Sequence, residues 1–105
     1  MFFVVGLLQD KRNEIVKACE RYGVARLDVF GSALRDDFRP GESDLDLLVE
    51  FKPMKPYERV EAYFGLLDDI RKLFNQKVDL VMTGAIKNQY IARDIDQTKQ
   101  LLYAA

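Results

Sequence analysis

The stretch Asp44-Leu45-Asp46-Leu47-Leu48-Val49-Glu50-Phe51 constrains this chain more than any other. In a β-strand successive side chains point to opposite faces, so Asp44 and Asp46 share one face while Leu45 and Leu47 take the other. Such a strand needs a core on one side and a counter-charge on the other. Two neighbouring carboxylates repel, and they are tolerated mainly where a cation neutralises both. All-oxygen ligation suits a hard ion such as Mg²⁺, which typically joins one or two carboxylates to substrate phosphates. Upstream, an apolar run ends in Gly31-Ser32. Glycine there lets the backbone approach a ligand closely, and free amides opening a following helical turn attract anions.

Bulk properties narrow the classes that remain. The chain has 105 residues, which predicts one domain spanning 1–105. Its formal net charge of −1 disfavours a protein that grips nucleic acid by the phosphate backbone. With no histidine and one cysteine, Cys19, there is no disulfide framework, no Cys/His zinc site and no Ser-His-Asp triad. The start, Met1-Phe2-Phe3-Val4-Val5-Gly6-Leu7-Leu8, is apolar but lacks a basic leader and is too short to span a bilayer. A cytoplasmic protein without membrane attachment is expected, with the apolar start packed on the domain or on a partner.

Hydrophobic spacing predicts the elements. Residues 8–22 read as a helix with Leu8, Ile15, Ala18, Cys19 and Tyr22 on one side and Gly23 as its stop. Strands are expected over 26–30, 44–51 and 77–82, with a helical turn at 32–36 and a loop at 37–43. The strongest helix is 57–74, where Val60, Tyr63, Phe64, Leu67, Ile70 and Phe74 recur at 3–4 spacing. Residues 85–102 read as one or two helices with Ile86, Tyr90, Ile91, Ile95 and Leu102 inward. Strands alternating with helices predict an α/β (α+β) fold with helices packed on a small sheet. Periodicity alone does not order its strands.

An isolated Asp-x-Asp is usually a solvated turn or strand end, and an acid such as Asp79 in Val78-Asp79-Leu80-Val81 usually faces water. The combination says more. Gly31-Ser32, Asp44-x-Asp46 and a third acid, Asp79, on a later strand resemble the minimal nucleotidyltransferases (MNT proteins) of the superfamily of DNA polymerase beta and kanamycin nucleotidyltransferase. The ending Lys87-Asn88-Gln89-Tyr90…Leu101-Leu102-Tyr103-Ala104-Ala105 is similar to that group as well. The resemblance runs from Tyr22 onward. Two departures stand out: eleven residues rather than ten separate Ser32 from Asp44, and Asp36 replaces a glycine frequent after the arginine.

The resemblance implies a mixed, polymerase beta palm-like sheet with the acids at one end. It implies that Asp44, Asp46 and Asp79 are the catalytic carboxylates and hold two Mg²⁺ ions. Gly31 and Ser32 would hold the phosphates of ATP. Arg35 either neutralises a phosphate or pairs with Asp36, Asp37 or Glu42. Two metal ions can activate a hydroxyl and stabilise the departing pyrophosphate, so no protein nucleophile is needed. The short chain leaves little material for an acceptor site, which a partner or a second copy would complete, in a homo- or hetero-oligomer. The resemblance supplies the partner: MNT proteins are commonly antitoxins of HEPN ribonuclease toxins, and some silence the toxin by adding AMP to it. Two alternatives stay open, an antitoxin that masks its toxin by contact alone and a small-molecule transferase of the aminoglycoside type.

Overall fold

The computed structural model describes residues 8–34 and 44–105. Residues 1–7 of the apolar start, Arg35, Asp36 and the 37–43 loop lie outside the described residues. After a helical stretch at 8–10 and a turn at Lys11, helix α1 runs Arg12–Arg21. Strand β1 is Val24–Phe30, followed by a 3₁₀ turn over Gly31–Leu34. Strand β2 is Leu45–Phe51, helix α2 Pro56–Phe74 and strand β3 Val78–Met82. Helix α3, Gln89–Thr98, leads directly into strand β4, Gln100–Ala104.

The sheet order is β3-β2-β1-β4. β1 is antiparallel to both β2 and β4, while β2 and β3 are parallel, so the sheet is mixed. Its apolar face carries Leu27 and Val29 of β1, Leu45, Leu47 and Val49 of β2, and Val78 and Leu80 of β3, all buried. Ile15, Ala18 and Cys19 of α1 and Leu66, Leu67 and Ile70 of α2 complete this core. Burying each of these large aliphatic side chains contributes about 1.5–3 kcal/mol. The helices approach closely because position 65 is glycine: a Cβ there would collide with the Tyr22 ring. Cys19 is core filling, and burial, reinforced by the charge of Glu20, pushes its thiol up to about 12.

Local signals set the ends of the long helix. Pro56 starts α2 in its first turn, where the missing N–H costs nothing, and Glu58 reaches back to the Lys55 N–H at 3.1 Å. Asn75 ends it in the left-handed conformation, φ 49°, with its N–H donating to the Arg71 carbonyl at 2.8 Å. Tyr63 donates its hydroxyl to the Leu80 carbonyl on the outer strand, tying α2 to β3.

Three expectations are corrected. Residues 101–102 are not helical: they belong to β4, a strand that pattern reading missed. Lys99-Gln100-Leu101-Leu102-Tyr103 has neither polar alternation nor a Gly or Pro before it, and the open edge of β1 imposes the extended form. Tyr90 and Ile91 are not inward; they are 83% and 53% exposed. On α2, Val60 and Phe64 face water, and the buried stripe is Ala62, Leu66, Leu67 and Ile70. Two apolar stripes lie side by side on that helix, and 3–4 spacing does not say which one meets the sheet.

Candidate active site

The second face of the sheet carries the polar residues. On β2, Asp46, Leu48 and Glu50 alternate with the buried Leu45, Leu47 and Val49. Asp44 stands one residue before the strand on the same face by alternation. The pairing register then sets two of the predicted acids side by side. Asp46 is opposite Phe30, the last residue of β1, and opposite Asp79 on parallel β3. Residues paired in this way project from one face on strands about 4.8 Å apart. Phe30, Asp46 and Asp79 therefore form a row across one end of the sheet, and Gly31 follows Phe30 directly. Asp79 is exposed between buried Val78 and Leu80.

Gly31 is glycine for a reason its sequence context does not show. Its φ is +69°, and an added Cβ would lie 2.5 Å from Asp46 Oδ2 and 3.3 Å from Asp46 Cγ. The turn thus presses its backbone against the acid at the centre of the row. The turn is 3₁₀ over Gly31–Leu34, where a helical turn is expected over 32–36, and residues 35 and 36 lie outside the described residues. Ser32 lies in it by its backbone; the Ser32 side chain and Arg35 lie outside what is described.

Asp44 is 46% exposed at its side chain, with Oδ2 4.0 Å from Lys77 Nζ. Lys77 directly precedes β3, and the Leu45 N–H donates to its carbonyl at 3.0 Å, which fixes the lysine beside the acid. Sequence reading missed Lys77. The signal available was its place two residues before Asp79. Among the described residues no three acids are gathered closely enough to hold one ion. The donors suit a hard cation in chemistry and in their shared face, with Asp44 turned toward the lysine.

A second charged group was also missed. Asp28 of β1 is 2% exposed on the acid face and accepts from the Arg26 guanidinium, with Nε–Oδ2 at 2.9 Å and Nη2–Oδ1 at 3.1 Å. This pairing, with the charges of Asp96 and Glu50 beyond it, holds Arg26 firmly protonated. Arg26 two residues before an acid within an apolar run was the sequence signal. Asp96 of α3 is held below the usual carboxylate range, chiefly by its hydrogen bond from Lys99, 2.7 Å away. Ile95 is the one buried residue of α3, whose first turn is capped by Asn88 Oδ1 accepting from the N–H groups of Tyr90 and Ile91.

A parallel β2–β3 pair bearing register-matched acids, entered through a Gly-Ser turn, defines a nucleotidyltransferase, and residues 12–102 match the family of the nucleotidyltransferase domain. The chain belongs to that family, whose substrate is a nucleotide. Among its relatives, MJ0128 of Methanocaldococcus jannaschii, named as a candidate protein adenylyltransferase, is 40% identical over 87 residues, 83% of each chain. The protein adenylyltransferase MntA of Thermococcus cleftensis is 33% identical over 69 residues, 66% of each chain. The MNT antitoxin solved with a tri-AMPylated HEPN toxin of Shewanella oneidensis shares the fold, with a TM-score of 0.58 at 19% identity over 93% of this chain and 73% of that one. The resemblance to minimal nucleotidyltransferases and the α/β fold with a mixed sheet are borne out. No helix among the described residues is long and apolar enough to cross a membrane.

Proposed function

We propose that this chain transfers AMP from ATP to a hydroxyl of a HEPN-type toxin and acts in the cytoplasm as that toxin's antitoxin. The observation that carries the reading is the register pairing of Asp46 with Asp79, with the Gly31 turn packed against Asp46. The relatives named for protein adenylylation supply the acceptor class. Asp44, Asp46 and Asp79 would hold Mg²⁺, which when bound neutralises phosphate charge and sharpens the attacking hydroxyl. Asp44 reaches that position by leaving Lys77, whose ammonium then faces the anionic nucleotide. The backbone of Gly31 and Ser32 holds the β- and γ-phosphates, and Arg35 would neutralise the same charge. The acceptor oxygen bonds to the α-phosphorus, the bond to the bridging oxygen breaks, pyrophosphate leaves, and the hydroxyl proton passes to Asp79.

The test is incubation of the pair with Mg²⁺ and ATP, followed by intact mass. The toxin should gain whole AMP units with the wild-type chain and none with Asp79→Asn. Toxin neutralisation by an Asp44/Asp46/Asp79 triple Asn variant, with no mass gain in the wild-type reaction, would overturn enzymatic silencing in favour of masking by contact.

A further inference from the structure

The end of helix α3 brings a cation to the acid face. Lys99 caps the helix, its N–H donating to the Ile95 carbonyl at 2.8 Å, and the next residue opens β4. The β1–β4 register fixes where this places it. Asp28 is opposite Leu101 and Val29 opposite Gln100, so one step further sets Lys99 beside Phe30. Phe30 is in turn opposite Asp46, and Asp46 opposite Asp79. Lys99, Phe30, Asp46 and Asp79 therefore follow one another across the same end of the sheet. Lys99 is two residues from Leu101 and shares its face, the face of Asp28, and it lines the space over Leu48 together with Asp96. Its side chain is only 19% exposed, against 76% and 78% for Lys72 and Lys77. The ammonium meets Asp96 Oδ1 at 2.7 Å, but that carboxylate stands in water, 74% exposed at its side chain. A pair with one partner so solvated is weak, and a multiply charged anion competes well for the lysine. Asp46 lies two strands away, about 10 Å at the spacing of a sheet, and a flexible four-carbon stem covers much of that distance.

We infer that Lys99 is a substrate-contacting residue of this site: its ammonium exchanges Asp96 for the β- and γ-phosphates held at the Gly31 turn. This rests on the nucleotidyltransferase reading and adds to it the group that receives the leaving pyrophosphate. The row gives the reaction a direction. Asp79 stands at one end, where the acceptor hydroxyl arrives. Lys99 stands at the other, where the bond between the α-phosphorus and the bridging oxygen breaks. Negative charge builds on that oxygen, and the ammonium stabilises it by hydrogen bonding while keeping its own protons. Asp96 holds the lysine over the sheet before a nucleotide arrives. A lysine that served only the helix would close the α3 dipole and pair at i,i+3 without touching phosphate. The two roles differ in what removal of Asp96 does.

Inorganic tripolyphosphate, titrated calorimetrically with Mg²⁺ into the full chain, reads the phosphate end alone. Lys99→Met keeps the stem and removes the charge, and it should weaken binding by about tenfold, the loss of one charge-assisted hydrogen bond. Asp96→Asn frees the lysine and should tighten binding by about threefold, since the wild type must first break the pair. That gain should vanish when Asp96→Asn is combined with Lys99→Met. Circular dichroism confirms the fold of each variant. Unchanged affinity in folded Lys99→Met overturns the inference. A gain that survives in the double variant overturns it as well, since loss of a negative charge then acts without the lysine. Unchanged or weaker binding by Asp96→Asn also overturns it, because the pair is then structural. If the wild type does not bind tripolyphosphate, the phosphate site of the proposed function falls, and this inference with it. If Lys99→Met does not fold, Asp96→Asn decides alone.

Discussion

Strand β2 presents two faces of opposite character within seven residues. Leu45, Leu47 and Val49 are 1% exposed or less beneath two helices, while Asp46 and Glu50 stand on the other side. The first face sets stability and tolerates little change in volume. The second carries the charged side chains and sets chemistry. The strand alternation thus separates what holds the protein together from what it does, and substitutions on the two faces should fail differently.

The largest effect is expected at the centre of the acid face. Asp46→Asn should lower Mg²⁺-dependent AMP transfer by about a hundred- to a thousandfold, as loss of a metal-holding carboxylate costs several kcal/mol of transition-state stabilisation. Its melting temperature should hold or rise, because one of two register-paired negative charges is gone. A marked fall in melting temperature would break the comparison. On the opposite face, Leu47→Ala should cost about 2–5 kcal/mol in urea denaturation, with activity per folded molecule unchanged. Loss of activity at full stability would mean that the two faces are coupled.

Cys19 offers a pH test of the core face. Its thiol is held near 12 in the folded state and ionises near 8.5 when unfolded. A raised folded value means the contribution is complete below about pH 8.5 and is lost as pH rises toward 12, at about 1.4 kcal/mol per pH unit. Denaturation at pH 7 and pH 10 should show this decline in the wild type and less of it in Cys19→Ala. Gly31→Ala sits where the faces meet. It should cost about 1–2 kcal/mol for the left-handed backbone and also displace the Asp46 carboxylate, so stability and activity fall together. Activity intact at reduced stability would show that Asp46 tolerates the displacement. The smallest change is expected at Phe64, 62% exposed on the outer stripe of α2: Phe64→Ser should stay within about 0.5 kcal/mol in a thermal melt.

The core face of the strands was legible because burial leaves a local trace: Leu45, Leu47 and Val49 alternate with acids over a short run. Cys19 was legible as core for the same reason, a helical spacing that puts it beside Ile15. The acid row was legible only as a list of residues. That Asp46 faces Asp79 comes from the β2–β3 register, which joins residues separated by the whole of α2. Gly31 stands out in the sequence as a place of close backbone approach, and the structure adds its packing against Asp46. Positive φ was foreseeable at a glycine turn, but its contact with Asp46 was not. Strand β4 went unseen because its conformation is dictated by β1, far away in sequence, and α2 was misfaced because its second apolar stripe has the same period as its first. Asp28 was hidden inside a strand read as apolar, although the arginine two residues earlier marked it.

The placement of β4 has a consequence for how the chain folds. Its pairing with β1 joins residues about seventy positions apart, Val29 with Gln100 among them. Contacts of that span form late, since a long loop must close before they give anything back. The β2–β1 hairpin and the β2–α2–β3 unit can assemble while the outer edge of β1 is still open. During that interval a row of unpaired backbone groups beside Leu27 and Val29 offers a template for another strand, from this chain or a neighbouring one. Docking of Gln100–Ala104 ends that exposure, so the last strand to arrive protects the nascent protein from aggregation.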